Sequence, residues 1–367
     1  MPPVRFVNVT KRFGKVLALD RISLEVGDGK YLCVLGPTGS GKTTLLKLMA
    51  GLLAAEEGSI YFDEKPVKGI GAQDLSAVYV PQRYALFPHL TVLQNVAFGP
   101  LARGKAASEA LELASKTLDL VRLSSRAQAL LNELSGGMQQ RVALARGLAS
   151  GARLLLLDEP LSAIDARLRL DLRHKIRDIV KQSGITAIHV THDQDEAMSV
   201  GDEILILKNG RIQDSGPPRR VYRRPAGIFV TNLFGGASFF EGIVDNTVGE
   251  TALVSARGLV IQAPSRMVTL TSTVVLAVRK ERVRITTDQP PEMDNVFKGE
   301  VRNVRFLGNS NEYVIRLSNG DAIASRNFAE SESKFRVGDQ VLVSFREGDV
   351  MVFDYPTEGL SKELEVA

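Results

Sequence analysis

The stretch Gly36-Pro37-Thr38-Gly39-Ser40-Gly41-Lys42-Thr43-Thr44 leaves this chain little choice of fold. It is a full G-x-x-x-x-G-K-[ST] loop, set between an apolar run at 31–35 and a helical run at 45–50. Glycines at these positions let backbone N–H groups turn inward around phosphate oxygens, and the following helix offers its positive end. Lys42 supplies a point charge, and the Thr43 hydroxyl can ligate Mg²⁺. ATP or GTP binding on an α/β core is the expectation. A Gly-rich strand-to-helix turn that merely resembles this loop is the plain alternative, and flanks of this quality argue against it.

The rest of the chain fits around that loop. At 367 residues it is long enough for two or three domains. Hydrophobic residues at 44% and charged residues at 24% exclude disordered, collagen-like and disulfide-scaffold classes. No apolar run has the length of a spanning helix, the first residues have no apolar leader, and Cys33 has no cysteine partner, which together suggest a reducing, cytosolic compartment. A net charge of +4 does not imply nucleic acid.

Up to about Asn232, short Val/Ile/Leu runs alternate with helical stretches, the pattern of an α/β domain with a largely parallel sheet. Val34 and residues 154–157 and 187–190 should be central strands. Between 100 and 129 the period becomes helical, with Leu111, Leu113, Ala114, Leu118, Leu120, Val121 and Leu123 recurring, which reads as a helical subdomain inserted over about 83–155. A basic, Pro/Gly-punctuated stretch near 216–238 suits a linker, so the expected domains are 1–235 and 236–367. The second is β in texture, with strand-like runs at 242–244, 259–262, 274–278, 313–317 and 341–345, and a small all-β barrel is the economical fold. Phe240-Glu241-Gly242-Ile243-Val244 and Phe297-Lys298-Gly299-Glu300-Val301 echo each other 57 residues apart, a hint of internal duplication.

Two further segments carry chemistry. Leu154-Leu155-Leu156-Leu157-Asp158-Glu159 is a buried-strand run ending in two carboxylates, as a strand beside a phosphate loop must end to present acid at a metal. Asp158 would hold Mg²⁺ through water and Glu159 would polarise the attacking water. Leu134-Ser135-Gly136-Gly137-Met138-Gln139-Gln140-Arg141 is a capped helix start, a second place that could hold an anion.

Phosphate loop, Ser-Gly-Gly helix start, carboxylate-ended Leu run and a histidine after the next strand, in this order, resemble the ATP-binding-cassette ATPases of transporters. The resemblance spans about residues 4–235, and the β tail resembles the carboxy-terminal regulatory barrel of importer ATPases. It implies roles residue by residue. Gly36 to Thr44 would bind the nucleotide, Phe13 would stack on adenine, and Gln82 would touch Mg²⁺ and the attacking water. Asp165, in Leu161-Ser162-Ala163-Ile164-Asp165, would lie in the loop after the catalytic Glu159, and His192 would contact the γ-phosphate with Lys42. Ser135, Gly136 and Gly137 would reach the nucleotide of a second copy. His89, His174 and His189 keep a structural reading, as does Cys33. In the tail, Arg279-Lys280-Glu281 departs from the family's Arg-Pro-Glu by a lysine.

The function implied is a cytosolic importer ATPase at the cytoplasmic face of the cell membrane. It would work as a homodimer with separate permease subunits and, indirectly, a solute-binding protein, without nucleic acid. Rival readings are a cassette ATPase of DNA repair or translation, an exporter subunit, and an ATP-gated docking module. The chain has neither the long coiled coil nor the second cassette of the first, the β tail speaks against the second, and an intact Glu159 against the third. Met138-Gln139-Gln140 leans toward the polyamine or iron type of importer.

Overall fold

A computed structural model describes residues 4–365 apart from 68–75, 266–267, 289–292 and 329–333. The chain divides into two compact units, one ending at Arg223 and the other beginning at Arg224, inside the expected linker and ahead of residue 235.

The strands of the first unit are β1 (Val4–Phe13), β2 (Val16–Val26), β3 (Tyr31–Leu35), β4 (Glu57–Phe62), β5 (Lys65–Pro66), β6 (Ala77–Val80), β7 (Leu154–Asp158), β8 (Thr186–Val190), β9 (Glu203–Lys208) and β10 (Arg211–Gly216). Its helices are α1 (Lys42–Met49), α2 (Val92–Ala102), α3 (Ala107–Leu120), α4 (Gly136–Ala149), α5 (Ala166–Ser183), α6 (Gln194–Val200) and α7 (Pro218–Arg223). One sheet runs β10-β9-β3-β8-β7-β6 and is parallel from β9 to β6. Every residue of β3, β7 and β8 is buried, as strands covered on both faces require. Their C-terminal ends bring the phosphate loop, Asp158-Glu159 and Thr191-His192 to one edge. The parallel expectation does not extend to a second, antiparallel sheet, β2-β1-β4-β5. It shares an apolar core with α1, where Val9, Leu19 and Ile60 meet Leu45 and Leu48.

The inserted helices begin at side-chain caps or buried faces. Thr91 accepts the Gln94 N–H and Gln94 returns a bond to the Thr91 N–H, a capping box that starts α2. On α3 the inner face is Ala110, Ala114, Thr117 and Leu118, and Leu111 faces solvent, one position off the expected stripe.

In the second unit, β11 (Ala237–Val248), β12 (Thr251–Ala256), β13 (Leu259–Pro264), β14 (Thr273–Arg279), β15 (Arg284–Thr286), β16 (Asn295–Phe306), β17 (Ser310–Leu317), β18 (Ala322–Phe328), β19 (Gln340–Phe345) and β20 (Val350–Asp354) lie between the short helices α8 (Ile228–Leu233) and α9 (Leu360–Leu364). They make two antiparallel sheets, β13-β12-β11-β14-β20 and β15-β19-β16-β17-β18, around one core that includes Phe240, Leu276, Ile315 and Phe345. The sequence echo has a geometric counterpart. β11 and β16 are each the middle strand of a sheet, each breaks register against the next strand between equivalent residues, Val244/Asn246 and Val301/Asn303, and each places glycine where a side chain would strike that neighbour. The last strand of each half changes sides: β15 pairs with β19, and β20 pairs with β14.

Candidate active site

The phosphate loop is built by backbone conformations that exclude side chains. Gly36 has φ 155° and a Cβ there would lie 2.2 Å from the Leu207 carbonyl oxygen; Gly41 has φ 104° and its Cβ would lie 2.5 Å from that of Ala18. Lys42 folds over the loop, donating from Nζ to the carbonyls of Gly36 at 2.8 Å and Pro37 at 2.7 Å. Burial lowers the Lys42 pKa below the ordinary lysine value, while Glu159 and Asp158 pull it upward. The Ser40 hydroxyl is buried without a protein partner among the described residues.

The two carboxylates are held differently. Asp158 accepts from the Thr43 hydroxyl at 3.1 Å and from the Tyr79 hydroxyl at 2.8 Å. Burial first, then Asp158, raises the Tyr79 pKa, which keeps that phenol a donor. Glu159 sits in the left-handed region at φ 50°, with its N–H bonded to the Val190 carbonyl at 2.9 Å. Its Oε2 accepts from Gln82 Nε2 at 2.9 Å and lies 3.5 Å from His192 Nδ1. Thr38, Gly39, Thr44, Gln82, Glu159 and His192 line one cleft with Lys42 and Thr43. The hydroxyl of Thr43 and the carboxylate of Asp158 are hard oxygen donors side by side, a set that suits Mg²⁺ shared with phosphate and water. Among the described residues no cluster of three or more His, Cys, Asp or Glu makes a self-sufficient metal cage.

Phe13, Ser135, Gly136, Gly137 and Asp165 do not line that cleft. Ser135 caps α4 by accepting from the Met138 N–H at 3.4 Å, and a Cβ on Gly137 would lie 2.7 Å from the Ala163 carbonyl oxygen. The start of α4 therefore abuts the loop after Glu159. Asp165 caps α5, accepting from the Leu168 N–H at 3.0 Å. Phe13 is no core aromatic: it is 48% exposed, with Lys11 Nζ 5.3 Å from its ring centre.

Two residues escape a reading by sequence. Tyr79 reaches Asp158 because β6 pairs with β7, and only the alternation of Ala77-Val78-Tyr79-Val80 hints at it. Gln140, in plain view on α4, donates to the Glu159 carbonyl at 2.9 Å and the Ser162 hydroxyl at 3.1 Å and accepts from the Ala163 N–H at 2.8 Å. It fixes the backbone on which the Glu159 carboxylate stands.

Residues 19–162 match the ABC transporter family and residues 276–353 match the TOBE domain. The spermidine/putrescine import ATP-binding protein PotA of Nitrosospira multiformis is 38% identical over 92% of this chain and 95% of its own. The chain belongs to the ABC transporter ATPases of the importer type. The Fe(3+) ions import ATP-binding protein FbpC of Brucella abortus is 41% identical over 86% of this chain and 88% of its own. Among solved structures, a dimeric ATP-binding cassette in a post-hydrolysis state bound to ADP and Pi aligns with TM-score 0.55 and 31% identity, covering 59% of this chain and 99% of that one. The α/β phosphate-loop core, the inserted helices and the all-β tail are thus those of an importer cassette with a TOBE domain, and the chain is an ATPase. Among the described residues no helix is long and apolar enough to cross a membrane.

Proposed function

We propose that this importer subunit hydrolyses ATP at Glu159, in a site that a second copy of the chain completes, and that the cycle drives separate permease subunits at the cytoplasmic face of the membrane. The observation that carries the reading is the convergence of Gln82 and His192 on one oxygen of Glu159, in one cleft with Lys42 and with Thr43, which bonds Asp158. Glu159 takes the proton of the attacking water as general base. Gln82 and His192 hold its carboxylate and face the γ-phosphate, and Lys42 draws charge from the phosphate tail. Mg²⁺, held by Thr43 and by Asp158 through water, would neutralise charge on the β- and γ-phosphates. Phe13, exposed beside Lys11, offers its face to adenine.

Ser135 caps a helix that Gly136 and Gly137 open, and none of the three lines the chain's own cleft. In a head-to-tail homodimer each triphosphate would meet two helix N-termini only on closure, so ATP binding drives association and hydrolysis releases it. The loop from Gln82 to Phe87 carries that motion outward. Phe87 stacks on Phe98 at 4.4 Å, and Phe98 and Leu101 are more than 40% exposed, an apolar surface for a short cytoplasmic helix of the permease. A solute-binding protein would choose the cargo. The test is Glu159→Gln: ATP affinity should stay within about threefold, turnover should fall about a hundredfold or more, and a dimer should accumulate with ATP. Near wild-type turnover would leave Glu159 a turn residue.

A further inference from the structure

Behind the cleft, three hydrogen bonds close a ring around a residue they do not include. The Thr191 hydroxyl donates to Glu196 Oε2 at 2.5 Å, the Glu196 N–H donates to Asp193 Oδ1 at 2.9 Å, and the Asp193 N–H donates to the Thr191 hydroxyl oxygen at 3.0 Å. His192 lies within this circuit in sequence, yet its side chain is 65% exposed and takes no part. The ring is anchored on both sides: the Thr191 N–H bonds the Val34 carbonyl at the end of β3, and buried Arg173 reaches Asp193 Oδ2 at 3.2 Å. The hydrogen bonds tie the backbone on either side of His192 and leave its imidazole outside the ring.

Glu196 is only 3% exposed and Thr191 only 2%. A carboxylate at that depth is costly unless its partners hold it in place. Its other oxygen faces His189 Nε2 at 3.6 Å, and His189 Nδ1 lies 3.0 Å from the Tyr31 hydroxyl. Burial lowers the His189 pKa while Glu196 pulls it upward, and at 3.6 Å neither His189 Nε2 nor Glu196 Oε1 gains a hydrogen bond among the described residues.

We propose that Glu196 is a positioning residue for hydrolysis, acting through Thr191 to fix the backbone from which His192 reaches toward Glu159 and the γ-phosphate. The proposal rests on the reading of His192 given above. Glu196→Ala should lower kcat of the full-length protein with MgATP about tenfold while KM moves less than about threefold, since the phosphate cradle is untouched. Thr191→Val removes that bond, and the acceptor of the Asp193 N–H with it, at nearly constant volume and should do likewise. Glu196→Gln keeps an acceptor for Thr191, and the new amide can donate to a His189 Nε2 that carries no proton, so kcat should return to within about threefold of wild type.

The deciding measurement is a cycle with His192→Ala. The loss caused by Thr191→Val or Glu196→Ala should vanish in that background. An equal loss with and without His192 would overturn the proposal, as would Glu196→Gln being as impaired as Glu196→Ala. His192→Ala at wild-type turnover would remove His192 from the chemistry, a failure of the site reading that is visible before either second substitution is made.

Discussion

In the cassette, backbone strain sits beside chemistry, with Gly36, Gly41 and the non-glycine Glu159 all at positive φ along one sheet edge. In the β unit positive φ sits in turns between strands, at Gly249, Arg257, Gly258 and Gly320, where Arg257 pairs with Asp321. A left-handed glutamate costs on the order of 1–3 kcal/mol, which its neighbours must offset, whereas a glycine in a turn costs almost nothing. Positive φ alone therefore does not mark the working edge, since Arg257 in a β-unit turn shares it; what marks Glu159 is a left-handed backbone under a carboxylate on which Gln82 and His192 converge.

That contrast can be broken by experiment. Glu159→Gln carries the largest expected effect, about two or more orders of magnitude in turnover with ATP binding kept. Ser135→Arg sharpens the contrast from outside the cleft: the partner's site should fail while single-chain ATP binding survives, and loss of binding by the monomer would remove the shared-site reading. Gln140→Ala removes three hydrogen bonds from the loop after Glu159 and should slow turnover about tenfold, each bond being worth about 1 kcal/mol before relaxation. Phe87→Ala should leave the isolated subunit's ATPase within about twofold and weaken co-purification with the permease; loss of basal activity would place Phe87 in the core. At the small end, Ile315→Val in the β unit should cost about 0.5–1.5 kcal/mol of that unit's stability, read by denaturant melting, with no change in turnover.

Local chemistry was legible in the sequence, and relations between distant segments were not. The loop at Gly36 to Thr44 and the pair Asp158-Glu159 declare themselves because each works within one strand end. Ser135 declares itself because a cap needs only its own helix. Tyr79, Gln140 and Glu196 do not: each acts on a backbone that strand register or helix docking brings to it, so their letters read as ordinary strand and helix residues. The antiparallel sheet of β1, β2, β4 and β5 was hidden for a related reason. Its four strands are split by β3 and α1 in the chain, so adjacency in space is not adjacency in sequence. Leu111 shows the limit of periodicity, since a one-residue error of phase turns an inner side chain out.

The exchange of β15 and β20 between the sheets makes the two halves of the β unit inseparable. A single half, cut free, would keep four strands of its sheet, β13-β12-β11-β14 in the first, but would leave bare the edge of β14 that β20 covers. Two such fragments would satisfy one another only by trading tails, so the isolated repeat should exist as an intertwined pair or as an aggregate. The covalent link within this chain turns that bimolecular requirement into an intramolecular one, and the halves should melt in a single step.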